Sequence, residues 1–236
     1  FGASLLDDVN THEDPNEAKN AHTLLDLLTP VIKAWSSEYG PKANDLAIQV
    51  LGGAGYTREY PVEQYWRDNR LNPIHEGTNG IQALDLLGRK VWQKNSLGLQ
   101  LLSKRILGDI SRSKDGSEKL LSWGKSLNDA LLLIQKVTMQ LAGDLQQEGV
   151  NETLANASCY LSLVGKVVVA WLWLRQALAA EQGLSKPCEG DDLAFYEGKI
   201  QAAQYFFQWE LPQMQQDANL LLARDDTCFA MQDAWF

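Results

Sequence analysis

QVLGGAGYTREYPVEQYWRDNRLNPIHEGTNGIQ, residues 49–82, is punctuated by glycine and proline and nowhere alternates apolar and polar residues as a half-buried strand would. Gly52 and Gly53 end one helix, because paired glycines take the left-handed turn that closes a helix. GAGYTREY then reads as a loop, Pro61 starts a short helix to about Arg70, LNPIHEGT is a second loop, and a longer helix begins at Asn79. That helix is expected to carry Ile81, Leu84, Leu87 and Val91 on one side.

Towards the N-terminus, Asp14, Pro15 and Glu17 read as N-cap, first helical residue and capping-box partner of a helix running to Gly40 with a kink at Pro30. A second helix is expected from Pro41 to Gly52-Gly53. After about residue 96 the glycine-rich loops give way to long apolar repeats. Leu120, Leu127, Ile134 and Leu141 recur every seven residues, flanked by Leu131 and Leu145. A second stripe is Leu154, Leu161, Val164, Val168, Trp171 and Leu178, and a third is Leu193, Tyr196, Ile200, Ala203 and Phe207. Joined by QQEGVN and QGLSKPCEG, these imply an up-down bundle. The expectation is an all-α chain in two helical domains, 1–95 and 96–236.

The chain has 236 residues, 45% of them hydrophobic, enough to bury one good core or two small ones. Its 21 Lys and Arg against 30 Asp and Glu give a formal charge of -9, which argues against general phosphate neutralisation and so against nucleic acid as a partner. Cys159, Cys188 and Cys228 fit neither a disulfide framework nor a metal pair, and a reduced, cytoplasmic setting is the simplest reading. His12, His22 and His75 lack partners at metal-ligand spacing, so no metal is expected. The apolar run at 163–174 is interrupted by Lys166 and closed by Arg175, short of the ~18 residues a membrane span needs. The chain opens at Phe1 without a leader-like segment, and the expectation is a fragment of something longer.

Two places in residues 49–82 could carry chemistry. Gly77-Thr78-Asn79 precedes a helix whose first amides lack internal partners, a place for an anion such as a phosphate. Gly52, Gly53 and Gly55 allow close backbone approach to a ligand, or simply form a C-cap and turn. Glu76 stands in the apolar loop NPIHEG, where its carboxylate is either a base or a helix-start acid favoured by the dipole. Glu63, Arg67 and Asp68 read as an ordinary surface helix or intersubunit ion pair. No GxSxG, Cys/His nucleophile pair or Walker loop appears.

In order, QVLGGAGY, EYPVEQYWRD and HEGTNGIQ resemble the last helical domain of the acyl-CoA dehydrogenases, over about residues 17–95. The remainder is similar, by position and helical texture, to the additional C-terminal helical domain of a bacterial subset. The resemblance implies FAD as cofactor and oxidation of an acyl-CoA to the trans-2-enoyl-CoA. Glu76 holds the place of the base that takes the α-proton while the β-hydrogen leaves to the flavin, and its backbone amide that of a donor to the thioester carbonyl. Gly77, Thr78 and Asn79 match the helix start that faces flavin phosphates. Gln49, Gly52 and Gly53 match the turn that touches the adenine half of a neighbouring subunit's flavin. An electron-transfer flavoprotein or similar acceptor and a homo-oligomer are further implications. Two positions depart from the pattern: Gly80 stands where many members have Gln, and His75 where many have an aromatic or aliphatic residue. The family's N-terminal and middle domains would precede Phe1, and the chain alone is expected to be inactive. The alternatives are a non-catalytic helical interaction module and a related flavoprotein with another substrate.

Overall fold

The computed structural model describes residues 1–147 and 149–235. Among them every regular element is helical, and the chain divides into two compact units, Phe1–Gly98 and Leu99–Phe236.

The first unit is built on α2, Pro15–Leu51, against which α1 (Gly2–Thr11), α3 (Val62–Asn69) and α4 (Asn79–Gly88) pack. The Asp14 side chain caps α2 by accepting from the Asn16 N–H at 2.8 Å, with Pro15 in the first turn, as the capping pattern predicts. The expected break at Gly40-Pro41 is absent, and one 37-residue helix contains both Pro30 and Pro41. The reason is the phase of burial. Thr23, Leu27, Pro30, Ala34, Ser37 and Pro41 are all buried at alternating spacings of four and three, so one helical stripe runs through both prolines. Each interior proline costs ~3 kcal/mol through its missing hydrogen bond and ring clash; burial of Leu24, Leu27, Leu28 and Val31 outweighs that at Pro30, and beyond Pro41 the helix is held by packing on α3, with Asn44 accepting from Asn69.

Two other expectations change, and α1 adds a helix that the sequence patterns do not announce. Helix α1 carries no side-chain N-cap and buries only Leu5, so its sequence signal is faint. GAGYTREY is not wholly irregular, since Gly52–Tyr56 forms a 3-10 turn that seats buried Gly55 against α2. On α4 the buried side is Ala83, Leu86 and Leu87, continued by Val91, whereas Ile81 and Leu84 are exposed. The helix lies on α2 along the 83/86/87 line, and buried Lys90 pairs with Asp26 of α2. In α5 (Gln93–Ser113) the opening residues Lys94, Asn95 and Ser96 all have φ between 51° and 59°. Such left-handed conformations cost ~1–2 kcal/mol each in residues other than glycine.

In the second unit, α8 (Ala157–Leu184) is enclosed by α6 (Glu118–Gln147), α9 (Gly190–Tyr205) and α10 (Met214–Ala223). Leu120, Leu127, Ile134 and Leu141 of α6 are all buried, so the seven-residue repeat faces the core. Helix α8 is buried round most of its circumference between Tyr160 and Trp171, with Tyr160, Leu163, Val164, Val167, Trp171 and Leu174 in the core, while Arg175, Gln176 and Ala179 are exposed. It is in fact long and apolar enough to cross a membrane by length and composition, beyond the shorter run read from sequence. Yet 67% of its most apolar window is buried within this unit, as in a core helix. The expected connection QQEGVN, residues 146–151, is shorter than its letters, since Gln146 and Gln147 end α6 and Val150 and Asn151 open the short α7 (Val150–Leu154); Glu148 lies outside the described residues. Of the third stripe, Ala203 and Phe207 are buried, and Leu193, Tyr196 and Ile200 are half-buried.

Most of the polar groups inside the second unit are paired, Gln204 Oε1 being a buried atom without a partner among the described residues. Lys166 donates to Asp217 Oδ2 at 2.8 Å and to Ser162 Oγ at 2.7 Å, and Trp171 Nε1 donates to Asp109 Oδ2 at 2.7 Å. The Tyr160 hydroxyl lies 2.8 Å from Thr138 Oγ1, and burial pushes its phenol up to about 12, which keeps it neutral.

Candidate active site

The loop before α4 is held from two directions by side chains far away in sequence. From α2, Lys33 Nζ donates to the Asn72 carbonyl at 2.6 Å and stands 3.5 Å from His75 Nδ1. Also from α2, Ser37 Oγ donates to Asn79 Oδ1 at 3.1 Å, while Asn79 Nδ2 donates to Glu38 Oε2 at 2.9 Å. Asn69 bridges the same surfaces by donating to Asn44 Oδ1 at 2.6 Å and accepting from Asn72 at 2.8 Å.

On this frame the backbone makes two left-handed residues in succession, Glu76 at φ 54° and Gly77 at φ 86°. Glycine adopts that region freely, but a glutamate there stores strain of order 1–3 kcal/mol, a feature that clusters at functional sites. The Glu76 carboxylate is exposed and makes no hydrogen bond or ion pair among the described residues. Thr78 then caps α4, its hydroxyl accepting from the Ile81 N–H at 3.5 Å. The amides of Asn79 and Gly80 are those that a helix start leaves without an intrahelical acceptor. A Cβ on Gly80 would meet only Thr78 Oγ1, at 3.9 Å, so that end of α4 is open to a ligand.

Gln49, Gly52 and Gly53 lie at the other end of α2. Gly52 caps the helix at φ 60°, with its N–H donating to the Gln49 carbonyl. Cβ atoms built on Gly52 or Gly53 would meet nothing within 4 Å, so this backbone faces open space. Gly55 differs, since a Cβ there would come within 2.7 Å of the Ile48 carbonyl. About three turns of α2, roughly 16 Å, separate Gln49 from the Glu38 that anchors the other loop. The structure therefore assembles Glu76, Gly77, Thr78 and Asn79 as one group and leaves Gln49, Gly52 and Gly53 as another. The side chain of Asn79 is engaged by α2, so only its backbone amide is available at the helix start.

Glu63 and Arg67, read from sequence as a surface helix or an intersubunit pair, form an ion pair within α3 at 2.8 Å between an exposed Arg67 and a half-buried Glu63. The residues not singled out from sequence are Lys33, Ser37, Glu38, Asn44 and Gln82. Their only signal would have been polar residues on a helix that otherwise buries its face, and that signal does not reveal which loop they reach.

Comparison with known proteins gives one consistent result. The family model described as acetyl-CoA dehydrogenase C-terminal like matches residues 103–232, more than half of the chain, and acyl-CoA dehydrogenase, C-terminal domain, matches residues 13–91. A broad-specificity linear acyl-CoA dehydrogenase of Mycobacterium tuberculosis is 31% identical over 225 residues, which cover 93% of this chain and 37% of that protein. A 3-methylmercaptopropionyl-CoA dehydrogenase of Ruegeria pomeroyi is 31% identical over 198 residues, covering 82% and 32%. The chain thus spans about a third of the length of these relatives. In fold, it superposes on ACDH-11 of Caenorhabditis elegans, solved in complex with C11-CoA, at a TM-score of 0.71 and 19% identity over 96% of this chain and 37% of the other. An acyl-CoA dehydrogenase of Bacillus anthracis complexed with FAD gives 0.61 and 21% identity, covering 88% and 33%.

Proposed function

Because the chain belongs to the acyl-CoA dehydrogenase family, we propose that it supplies the base and one wall of the active site of a flavin-dependent enzyme that oxidises an acyl-CoA to the trans-2-enoyl-CoA. The observation that carries this reading is Glu76, an unpartnered carboxylate on a strained turn, two residues before the cap of α4.

The residues present fit FAD. The open start of α4 at Thr78, Asn79 and Gly80 suits a phosphate, and the bare backbone at Gly52 and Gly53 admits the close approach of a flat group. When bound, the flavin supplies the acceptor for the β-hydride. Glu76 takes the α-proton onto its carboxylate, which becomes the neutral acid as the Cα–H bond breaks. The Glu76 N–H donates to the thioester carbonyl and stabilises the charge that develops there. This needs water excluded around a carboxylate that is exposed in this chain, so the rest of the enzyme and its substrate cover it. The distance of Gln49, Gly52 and Gly53 from Glu76 supports their serving the flavin of a second copy in a homo-oligomer. Exposed Leu46, Val50 and Tyr56 around that turn provide apolar surface for the contact. An electron-transfer flavoprotein or similar acceptor would be the partner that takes up the electrons.

The test is an absorbance scan of the whole protein for flavin, followed by anaerobic titration with acyl-CoAs of increasing chain length. Bleaching by at least one of them is expected, and a protein with flavin that none bleaches overturns the reading. For the Gly53 assignment, Gly53→Val is expected to leave the thermal midpoint unchanged, since its side chain meets nothing in this chain, and to lower flavin occupancy of the assembled protein. Occupancy equal to wild type removes Gly53 from the cofactor site.

A further inference from the structure

The left-handed pair at Glu76 and Gly77 is fastened by one side chain. Gln82 stands on the first turn of α4, and its Nε2 donates to the Glu76 carbonyl at 3.3 Å and to the Gly77 carbonyl at 3.4 Å. The fit is reciprocal, because a Cβ on residue 77 would come within 2.8 Å of that same nitrogen. Glycine at 77 is therefore favoured by its φ of 86°, and its missing Cβ leaves the space that the Gln82 amide occupies. On the upstream side Lys33 holds the Asn72 carbonyl, so the segment between residues 72 and 77 is pinned at both ends.

The Glu76 carboxylate itself has no partner among the described residues, so its location follows that of its own peptide units. A base that removes a weakly acidic α-proton has to be placed closely, and a displacement of about 1 Å can cost on the order of a hundredfold in rate. We propose that Gln82 is the positioning residue for the base: by bridging the Glu76 and Gly77 carbonyls it holds the turn in the one backbone conformation that presents the Glu76 carboxylate to substrate. This rests on Glu76 being the base. Gln82 touches neither substrate nor the reacting atoms and acts through the backbone of Glu76.

Gln82→Met keeps the side-chain length and removes the donor. In the flavin-loaded protein it is expected to lower kcat by about tenfold to a hundredfold with KM changed less than about twofold, flavin content and thermal midpoint unchanged, and the isotope effect from α-deuterated acyl-CoA enlarged. Gln82→Lys restores a donor of similar reach and is expected to recover part of kcat. Independently of catalysis, amide hydrogen exchange in the flavin-free chain at His75 and Ile81, whose N–H groups donate to the Leu71 carbonyl and to Thr78 Oγ1 on either side of the turn, is expected to quicken in Gln82→Met by about tenfold or more, while exchange in the second unit stays as it was. Wild-type kcat in Gln82→Met, a rise in KM with kcat preserved, or unchanged exchange in the turn overturns the proposal. Glu76→Gln measured alongside separates the two levels. If that variant keeps wild-type turnover, the base assignment fails and this proposal with it; if it abolishes turnover while Gln82→Met does not slow it, only the positioning role fails.

Discussion

Replacing Glu76 by glutamine is expected to slow reduction of the bound flavin by acyl-CoA on the order of a thousandfold, with flavin content and helix content unchanged. The amide has nearly the same shape as the carboxylate but cannot accept the α-proton, so under the proposed role of Glu76 the step that breaks the Cα–H bond loses its base. Because the Glu76 carboxylate is exposed and unpartnered in this chain, the substitution removes no stabilising contact. A surface change of this kind moves stability by no more than about 0.5 kcal/mol. Anaerobic rapid mixing reads the rate, and circular dichroism with an absorbance spectrum reads the fold and the flavin. Bleaching at near the wild-type rate takes Glu76 out of the role.

The largest effect on stability is expected at Asp217. Its carboxylate accepts from Lys166 Nζ and from Ser162 Oγ, both at 2.8 Å, and joins α10 to the central helix α8. The Lys166 side chain is 9% exposed and that of Asp217 18%, so the pair is mostly removed from water. Asp217→Ala leaves the ammonium buried with the Ser162 hydroxyl as its remaining partner. Removing one partner of a buried ion pair costs about 3–5 kcal/mol, whereas replacing both with apolar residues is often neutral or stabilising. The expected pattern in urea unfolding is thus a large loss for Asp217→Ala, and a loss within about 1 kcal/mol for the Lys166→Met, Asp217→Leu double variant. Equal losses in the single and the double variant would sink the account, because packing rather than charge would then explain the site.

How far the site could be read from sequence differs from residue to residue. The cap at Thr78 and the glycines at 52 and 77 are local devices, set by backbone preferences a few residues wide, so their letters announce them. The left-handed Glu76 is not announced, because glutamate carries no preference for that region and adopts it only where surrounding contacts hold it there. Those contacts come from Lys33 and Ser37, roughly forty positions away, and from Gln82. Asn79 shows the difference within one residue. As a letter it marks the start of α4, but its side chain is engaged by Glu38 and Ser37.

By itself the sequence determined the helical class, the face of α6 that enters the core, and the order of the three motifs that places the chain in its family. Each of these depends on periodicity or on spacing along the chain, quantities that the sequence states directly. Only the tertiary structure decided that α2 runs unbroken through Pro30 and Pro41, that α4 buries Ala83 and Leu86 in place of Ile81 and Leu84, and that Asn79 is anchored on Glu38, about three helical turns before Gln49. In each case local preference competed with burial against a distant neighbour. A buried stripe worth ~1.5–3 kcal/mol per large side chain outweighs a proline or a left-handed turn once several such side chains act together.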